Sequence, residues 1–205
     1  MCGICGIVNF DRQAVDGPMI QQMMRMMAHR GPDDQGLVLR DGVGLGAVRL
    51  SILDLSANGH QPMVSADGRW VIVYNGEVYN FVELRKELQA KGYTFKSNSD
   101  TEVVLNSFIE WGMESLPRFV GMFAFAIYDN VSCTITIVRD RFGVKPLYFE
   151  SRGSALIFAS EIAPVLSLRR QGDVKINEQT MFDFLAFDRG TASVYCDMPD
   201  RGSSH

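Results

Sequence analysis

The chain lacks any uninterrupted apolar run of the roughly 18 to 20 residues that a bilayer-spanning helix requires, and no basic stretch precedes an apolar core at its start. Neither a membrane anchor nor a secretory leader is expected, and a cytoplasmic location is. A basic excess is also missing: 20 Lys and Arg against 24 Asp and Glu give a net charge of −4, which three histidines barely alter. No positive field is available to hold a nucleic-acid backbone or an anionic lipid surface, so no nucleic acid and no membrane is expected as a partner. Cysteine is scarce, and four in 205 residues do not make a disulfide framework. Cys2 and Cys5 have C-x-x-C spacing, but zinc would call for a second Cys or His pair, and a redox pair for a strand before it and a helix after it. Neither condition is met, and no metal site is expected. There is no Gly-x-x-x-x-Gly-Lys phosphate loop, internal repeat or low-complexity tract.

What is present is a composition 46% hydrophobic over 205 residues, enough for one large globular domain with a substantial core. Residues 2–10 are apolar and glycine-punctuated and predict a buried strand. Pro18 opens a helix whose Ile20, Met23, Met24 and Met27 share one face, a core stripe and not a cofactor box. Strands are predicted at 43–50, 70–74, 122–128, 134–138, 146–149 and 155–159. Asn80 with Glu83 predicts a helix start with Phe81, Leu84 and Leu88 on one face and Gly92 at its end. Ser99 with Glu102 predicts another, carrying Leu105, Phe108 and Ile109 and ending at Gly112. Further helices are expected over 160–168 and 177–187, the last with Met181, Phe182 and Leu185 facing inward. Strands and helices do not alternate, which predicts α+β architecture with antiparallel sheets covered by helices. One domain is expected over 1–187, with 188–205 as a divergent tail, disordered or truncated.

Position 2 carries the most distinctive chemistry. Trimming of Met1, which the small Cys2 side chain permits, would put a thiol and a free α-amine on one residue. Such an amine titrates near about 7.7 to 8.0 and a free thiol near about 8.5, so the amine can take the thiol proton at neutral pH without a histidine. This extends to cysteine the logic of N-terminal threonine nucleophiles. In isolation the cysteine would be read as a buried small hydrophobe, and strings further along change that reading. The start Met-Cys-Gly-Ile-Cys-Gly-Ile, R-G-P-D-D at 30–34, R-L-S-I-L-D at 49–54, G-H-Q-P at 59–62, N-G-E-V-Y-N at 75–80, S-D-T-E at 99–102, G-M-F-A-F-A at 121–126 and R-D-R-F-G-V-K-P-L-Y at 139–148 occur in that order. Together, across residues 2 to about 187, they resemble the glutaminase domain of glutamine-hydrolysing asparagine synthetases, a class II glutamine amidotransferase of N-terminal nucleophile hydrolase fold.

The resemblance implies a four-layer αββα sandwich, two stacked antiparallel sheets flanked by helices. It implies that Cys2 is the nucleophile converting L-glutamine to glutamate and ammonia. Arg49 would hold the substrate α-carboxylate, a task suited to the guanidinium fork, and the backbone of Leu50, Ser51, Ile52 and Leu53 would line the same pocket. A structural salt bridge is the ordinary alternative for Arg49. The Asn75 amide and the Gly76 N–H would form the oxyanion hole, although Asn-Gly by itself reads as a type I′ turn and both readings are retained. Glu77 and Asp100 would receive the ammonium of glutamine, with helix capping competing at Asp100. His29, Arg30 and Asp33 are read as structural, with no chemical step. No cofactor is implied for this step.

In the family, ammonia passes to a synthetase domain that uses ATP and Mg to convert aspartate to asparagine; no such domain is expected to fit in the residues after 187, and the sequence holds no Ser-Gly-Gly-x-Asp-Ser loop. A separate ammonia-accepting domain or subunit is the expected partner, and a homodimer is an admissible assembly. A fragment, a free-standing subunit for another acceptor and a truncated product remain open. The glutaminase half of a sugar-phosphate or phosphoribosyl amidotransferase is disfavoured, because R-L-S-I-L-D stands where a His-x-Arg-Trp or His-x-Arg-Tyr string is expected. A non-catalytic glutamine-sensing or assembly module is disfavoured because it need keep none of Cys2, Arg49, Asn75, Gly76 and Asp100.

Overall fold

A computed structural model describes residues 1–169 together with Gln179 and Phe182. Residues 1–165 form one compact unit, and the residues after them are assigned to a second. The first strand, β1 (Gly3–Asn9), is central in a five-stranded antiparallel sheet that also contains β2 (Asp34–Arg40), β3 (Val43–Arg49), β8 (Tyr148–Arg152) and β9 (Ala155–Ala159), in the order β2-β3-β1-β9-β8. The second sheet is β4-β5-β6-β7, built from Met63–Val64, Trp70–Val78, Gly121–Asp129 and Thr134–Arg139. Alternation along each strand separates two faces. Ile4, Val8, Val43, Leu45 and Ala47 from the first sheet meet Val71, Val73 and Ala126 from the second in one buried cluster between the sheets.

The outer faces are covered by helices. Helix α1 (Gly17–Met26) buries Ile20, Met23 and Met24, and Gly44 and Gly46 let it approach the first sheet. A Cβ on Gly46 would stand 2.7 Å from Ile20 and 2.8 Å from the Met24 sulfur. Helices α2 (Phe81–Ala90) and α3 (Asp100–Trp111) cover the second sheet, where Leu84, Leu88, Val104, Leu105 and Phe108 join Ile72, Phe123 and Phe125 in another cluster. The result is the expected helix–sheet–sheet–helix order.

Several local expectations are corrected. β5 continues through Asn75 and Gly76, which pair with Ala124 and Phe123 across β6, so these two residues are strand interior and not a turn. Asn80 stands at the N-cap of α2 without a side-chain capping bond; its side-chain Oδ1 accepts from Val120 N–H and its Nδ2 donates to the Arg118 carbonyl. Ser99 does cap α3, by accepting from Thr101 N–H at 3.1 Å, but Glu102 turns to the Lys96 and Ser97 amides instead of closing a capping box. The strand expected at 146–149 begins at Tyr148 because the preceding residues are held in a loop by Asp140. β2 and β4 were not foreseen, and the helix near 160–168 is only α4 (Ile162–Leu166). The helix expected at 177–187 falls outside the described residues except for Gln179 and Phe182; both are helical, and Phe182 is exposed where it was expected to face inward.

Candidate active site

Three strand ends converge on one cavity. β1 begins beside Cys2, antiparallel β3 ends at Arg49, and β5 brings Asn75, Gly76 and Glu77 from the opposite sheet. The cavity holds about 80 Å³ and is also lined by Leu50, Ile52, Leu53 and Asp100. Of the residues proposed from sequence, only Ser51 is not among its lining residues; its backbone amide donates to Asp33 at 2.8 Å.

Cys2 is half-buried, with its thiol 3.8 Å from the Leu50 carbonyl. Cys5, three positions on, falls on the opposite face of β1 under α1, where burial pushes its thiol up to about 12. The C-x-x-C spacing thus separates the two sulfurs. Among the described residues no group of His, Cys, Asp and Glu side chains is arranged to hold a metal ion.

Arg49 is 7% exposed and donates to the backbone carbonyl of Asp54, and Gly59 packs directly against its guanidinium. It is buried, and among the described residues it forms no ion pair. The Asp54 carboxylate is held below its ordinary range by the Ser56 hydroxyl and the Asn98 and Ser56 amides, with Arg49 adding a smaller attraction. Asn75 is 1% exposed, and its amide nitrogen Nδ2, buried in the cavity wall, has no hydrogen-bond partner among the described residues. A buried amide without a partner is costly unless something else occupies the position in front of it. Gly76 follows in β5, and a Cβ there would collide with Met122 O and Phe123, so only glycine fits the register with β6.

Asp100 opens α3, yet its carboxylate does not cap that helix from outside. Its Oδ2 accepts from the Tyr74 hydroxyl at 2.6 Å and from Val78 N–H at 3.0 Å. Burial raises its carboxyl above the ordinary range, and nearby Glu77 adds to the rise, while those two donors oppose it.

The R-G-P-D-D loop has a closer connection to the cavity than expected. Arg30 donates to the Cys2 carbonyl at 2.9 Å and to Glu161 at 3.0 Å, and His29 meets the same Glu161 oxygen at 2.9 Å. Sequence reasoning also missed Gln61 and Lys145 as lining residues. The Gln61 side chain accepts from Tyr74 N–H at 2.7 Å and donates to Thr101 at 3.4 Å. Lys145 is 6% exposed, with its ammonium 3.5 Å from the Met1 sulfur. Its loop is organised by Asp140, which accepts from the amides of Phe123, Phe142, Val144 and Lys145. Burial alone would raise the Asp140 carboxyl, but these amides together bring it below its ordinary value. The available signal was R-D-R-F-G-V-K-P-L-Y, a motif quoted from the sequence without a role for its lysine.

The four-layer architecture is shared with glutamine phosphoribosylpyrophosphate amidotransferase of B. subtilis, at a TM-score of 0.67, with 22% identity over 82% of this chain and 43% of that one. At that identity the likeness establishes the fold. The sequence goes further: the model of the glutamine amidotransferase domain family matches residues 1–198, and the chain belongs to that family. Proteins named as asparagine synthetases are among its relatives. Asparagine synthetase [glutamine-hydrolyzing] 1 of Bacillus subtilis (strain 168) is 40% identical over 190 residues, covering 91% of this chain and 30% of that protein. A putative asparagine synthetase [glutamine-hydrolyzing] of Methanocaldococcus jannaschii is 36% identical over 216 residues, covering 95% of this chain and 41% of that protein. The chain therefore spans 30% to 41% of the length of these relatives.

Proposed function

We propose that this domain hydrolyses L-glutamine to L-glutamate and ammonia, with Cys2 as nucleophile after removal of Met1. The observation that carries the reading is the unpartnered, buried Nδ2 of Asn75 in the same cavity as the Cys2 thiol. It is a donor with no acceptor among the described residues, in a wall reached by a thiol, as an oxyanion hole requires.

In this mechanism the Cys2 α-amine takes the thiol proton and the sulfur attacks the side-chain amide carbon of glutamine. The resulting oxyanion is met by Asn75 Nδ2 and the Gly76 N–H. The α-ammonium protonates the leaving nitrogen, the C–N bond breaks and ammonia departs, leaving a γ-glutamyl thioester on Cys2. Water, deprotonated by the same amine, then cleaves the C–S bond to give glutamate and restore the thiol. Arg49 binds the substrate α-carboxylate, and Asp100 with Glu77 binds its ammonium. Arg30, by holding the Cys2 carbonyl, keeps the residue's backbone in register with the cavity.

Removal of Met1 serves two ends. It frees the nitrogen of Cys2, which is otherwise an amide and no base, and it clears a side chain that lines a cavity of only about 80 Å³. Ammonia is then destined for an ATP- and Mg-dependent synthetase that amidates aspartate, with that domain or subunit as partner; no cofactor takes part in the glutaminase step. The names and greater length of the relatives support that assignment. Intact-mass measurement should show the loss of one methionine in active protein, and activity with Met1 retained rules out the amine as base. Cys2→Ala should abolish ammonia release while retaining glutamine binding; unchanged turnover would falsify the nucleophile.

A further inference from the structure

Tyr74 lies on the helix-covered face of β5, in an apolar cluster with Phe123, Phe125, Val103 and Val104. A phenylalanine would satisfy that packing and bury no hydroxyl. Burying a phenol is unfavourable unless the hydroxyl is bonded. Here it donates to Asp100 Oδ2 at 2.6 Å, with both residues almost sealed from solvent, at 2% and 5% exposure. Val78 N–H takes the same oxygen from the side. Among the described residues no cationic side chain meets Asp100; its surroundings are a phenol, backbone amides and the like-charged Glu77. A buried carboxylate served by neutral donors alone is suited to an incoming cation; Tyr74 and Val78 both engage Oδ2, and among the described residues no other side chain donates to Oδ1.

We infer that Tyr74 is a positioning residue for recognition of the substrate α-ammonium, fixing Asp100 through Oδ2 so that its other oxygen is free to receive the cation. The inference rests on the glutaminase reading above and extends it to a residue that does not line up with any polar motif. Rotation of Asp100 about its side-chain bonds would exchange its two oxygens, and a second donor from a rigid ring opposes that rotation. Burial raises the Asp100 carboxyl, and the Tyr74 hydroxyl acts against that rise, so the same bond favours the ionised form that an ammonium needs.

The test uses two ligands. Glutamine carries the α-amine, and 4-carbamoylbutanoate is glutamine without it. In Tyr74→Phe, KM for glutamine should rise about tenfold, in keeping with loss of a hydrogen bond to a charged group, with kcat changed less than about twofold. The inhibition constant of 4-carbamoylbutanoate should stay unchanged. An unchanged KM, or an inhibition constant that rises in step with it, overturns the inference, the second outcome marking general distortion of the cavity. Should Tyr74→Phe not fold, Cys2→Ala protein labelled with carbon-13 at the tyrosine ring carbon bearing the hydroxyl gives a second reading. Among its six tyrosines, one signal should move with glutamine and not with the analogue; no such signal overturns the inference. Wild-type protein that releases no ammonia defeats the glutaminase reading, and this inference with it. Normal wild-type turnover with an unaltered KM in Tyr74→Phe defeats this inference alone.

Discussion

Cys2 and Cys5 carry the same side chain into opposite conditions. Cys2 edges a cavity, whereas Cys5 is fully enclosed with its thiol near 12. Alkylation of the native protein at pH 8 should therefore modify Cys2 and spare Cys5, read by peptide mapping; labelling of Cys5 at an equal rate would contradict the packing under α1. Asn75 presents the complementary case, a buried donor with no acceptor among the described residues. Asn75→Ala should lower kcat for glutamine about 10²- to 10³-fold with a much smaller change in KM. The reverse pattern places Asn75 in ground-state binding. At this scale much of the site was legible, because a thiol, a guanidinium, an amide and a carboxylate have restricted chemical uses. The alternatives left open at Arg49 and Asp100 were not decided by residue type. They turn on which atoms stand opposite: the structure sets a carbonyl near Arg49 and a phenol near Asp100, and the binding of substrate by either residue is a proposal.

Elements were legible where the signal is local. The methionine stripe of α1, the glycine after α2 at φ +95° and the Ser99 cap of α3 follow from periodicity and backbone preference within a few residues. The misreadings have one physical origin. Asn75-Gly76 resembles a turn locally, but pairing with β6 on one side keeps the strand extended through both residues. Asn80 resembles a cap, but the Arg118 and Val120 backbone groups compete for its amide and win. β2 contains few of the apolar alternations that announce a strand, since it is an edge strand half exposed to solvent. Gly46 is where an element and its neighbour constrain each other most directly. Gly46→Val should lower the unfolding free energy by about 1–3 kcal/mol through overpacking against Ile20 and Met24, measured by urea denaturation. A loss below about 0.5 kcal/mol would mean that α1 can shift away from the sheet.

For the molecule as a whole, the acid limit of stability should be set by carboxylates that the fold holds ionised. Asp129 is the strongest case: the Arg69 fork at 2.6 and 2.8 Å, followed after the opposing effect of burial by Val131 N–H and the Ser132 hydroxyl, draws its carboxyl far below the usual 3.8. Because the folded value is depressed, the unfolded chain takes up the proton first as pH falls. The contribution is present above about 3.8 and is lost progressively below it. Asp100 has the opposite sign, its raised carboxyl favouring the folded state on protonation, which offsets part of that loss. Stability followed by urea denaturation from pH 6 to pH 2 should fall more steeply in wild type than in Asp129→Asn. Parallel curves would show that the Arg69 pair contributes nothing measurable.

The amino-acid sequence by itself determined the α+β class through alternation and helical periodicity, and its ordered motifs carried the family resemblance that implied the αββα layering and most of the residues around the cavity, because all of these are properties of neighbours along the chain. Only the tertiary structure decided that residues 2, 49, 75 and 100 line one cavity, that Asn75 Nδ2 has no acceptor among the described residues, and that Tyr74, Gln61 and Lys145 belong beside them. Those facts depend on strand register and on two sheets stacking face to face. A one-residue slip in β5 would turn Asn75 away from Cys2 while leaving every local signal in the sequence unchanged.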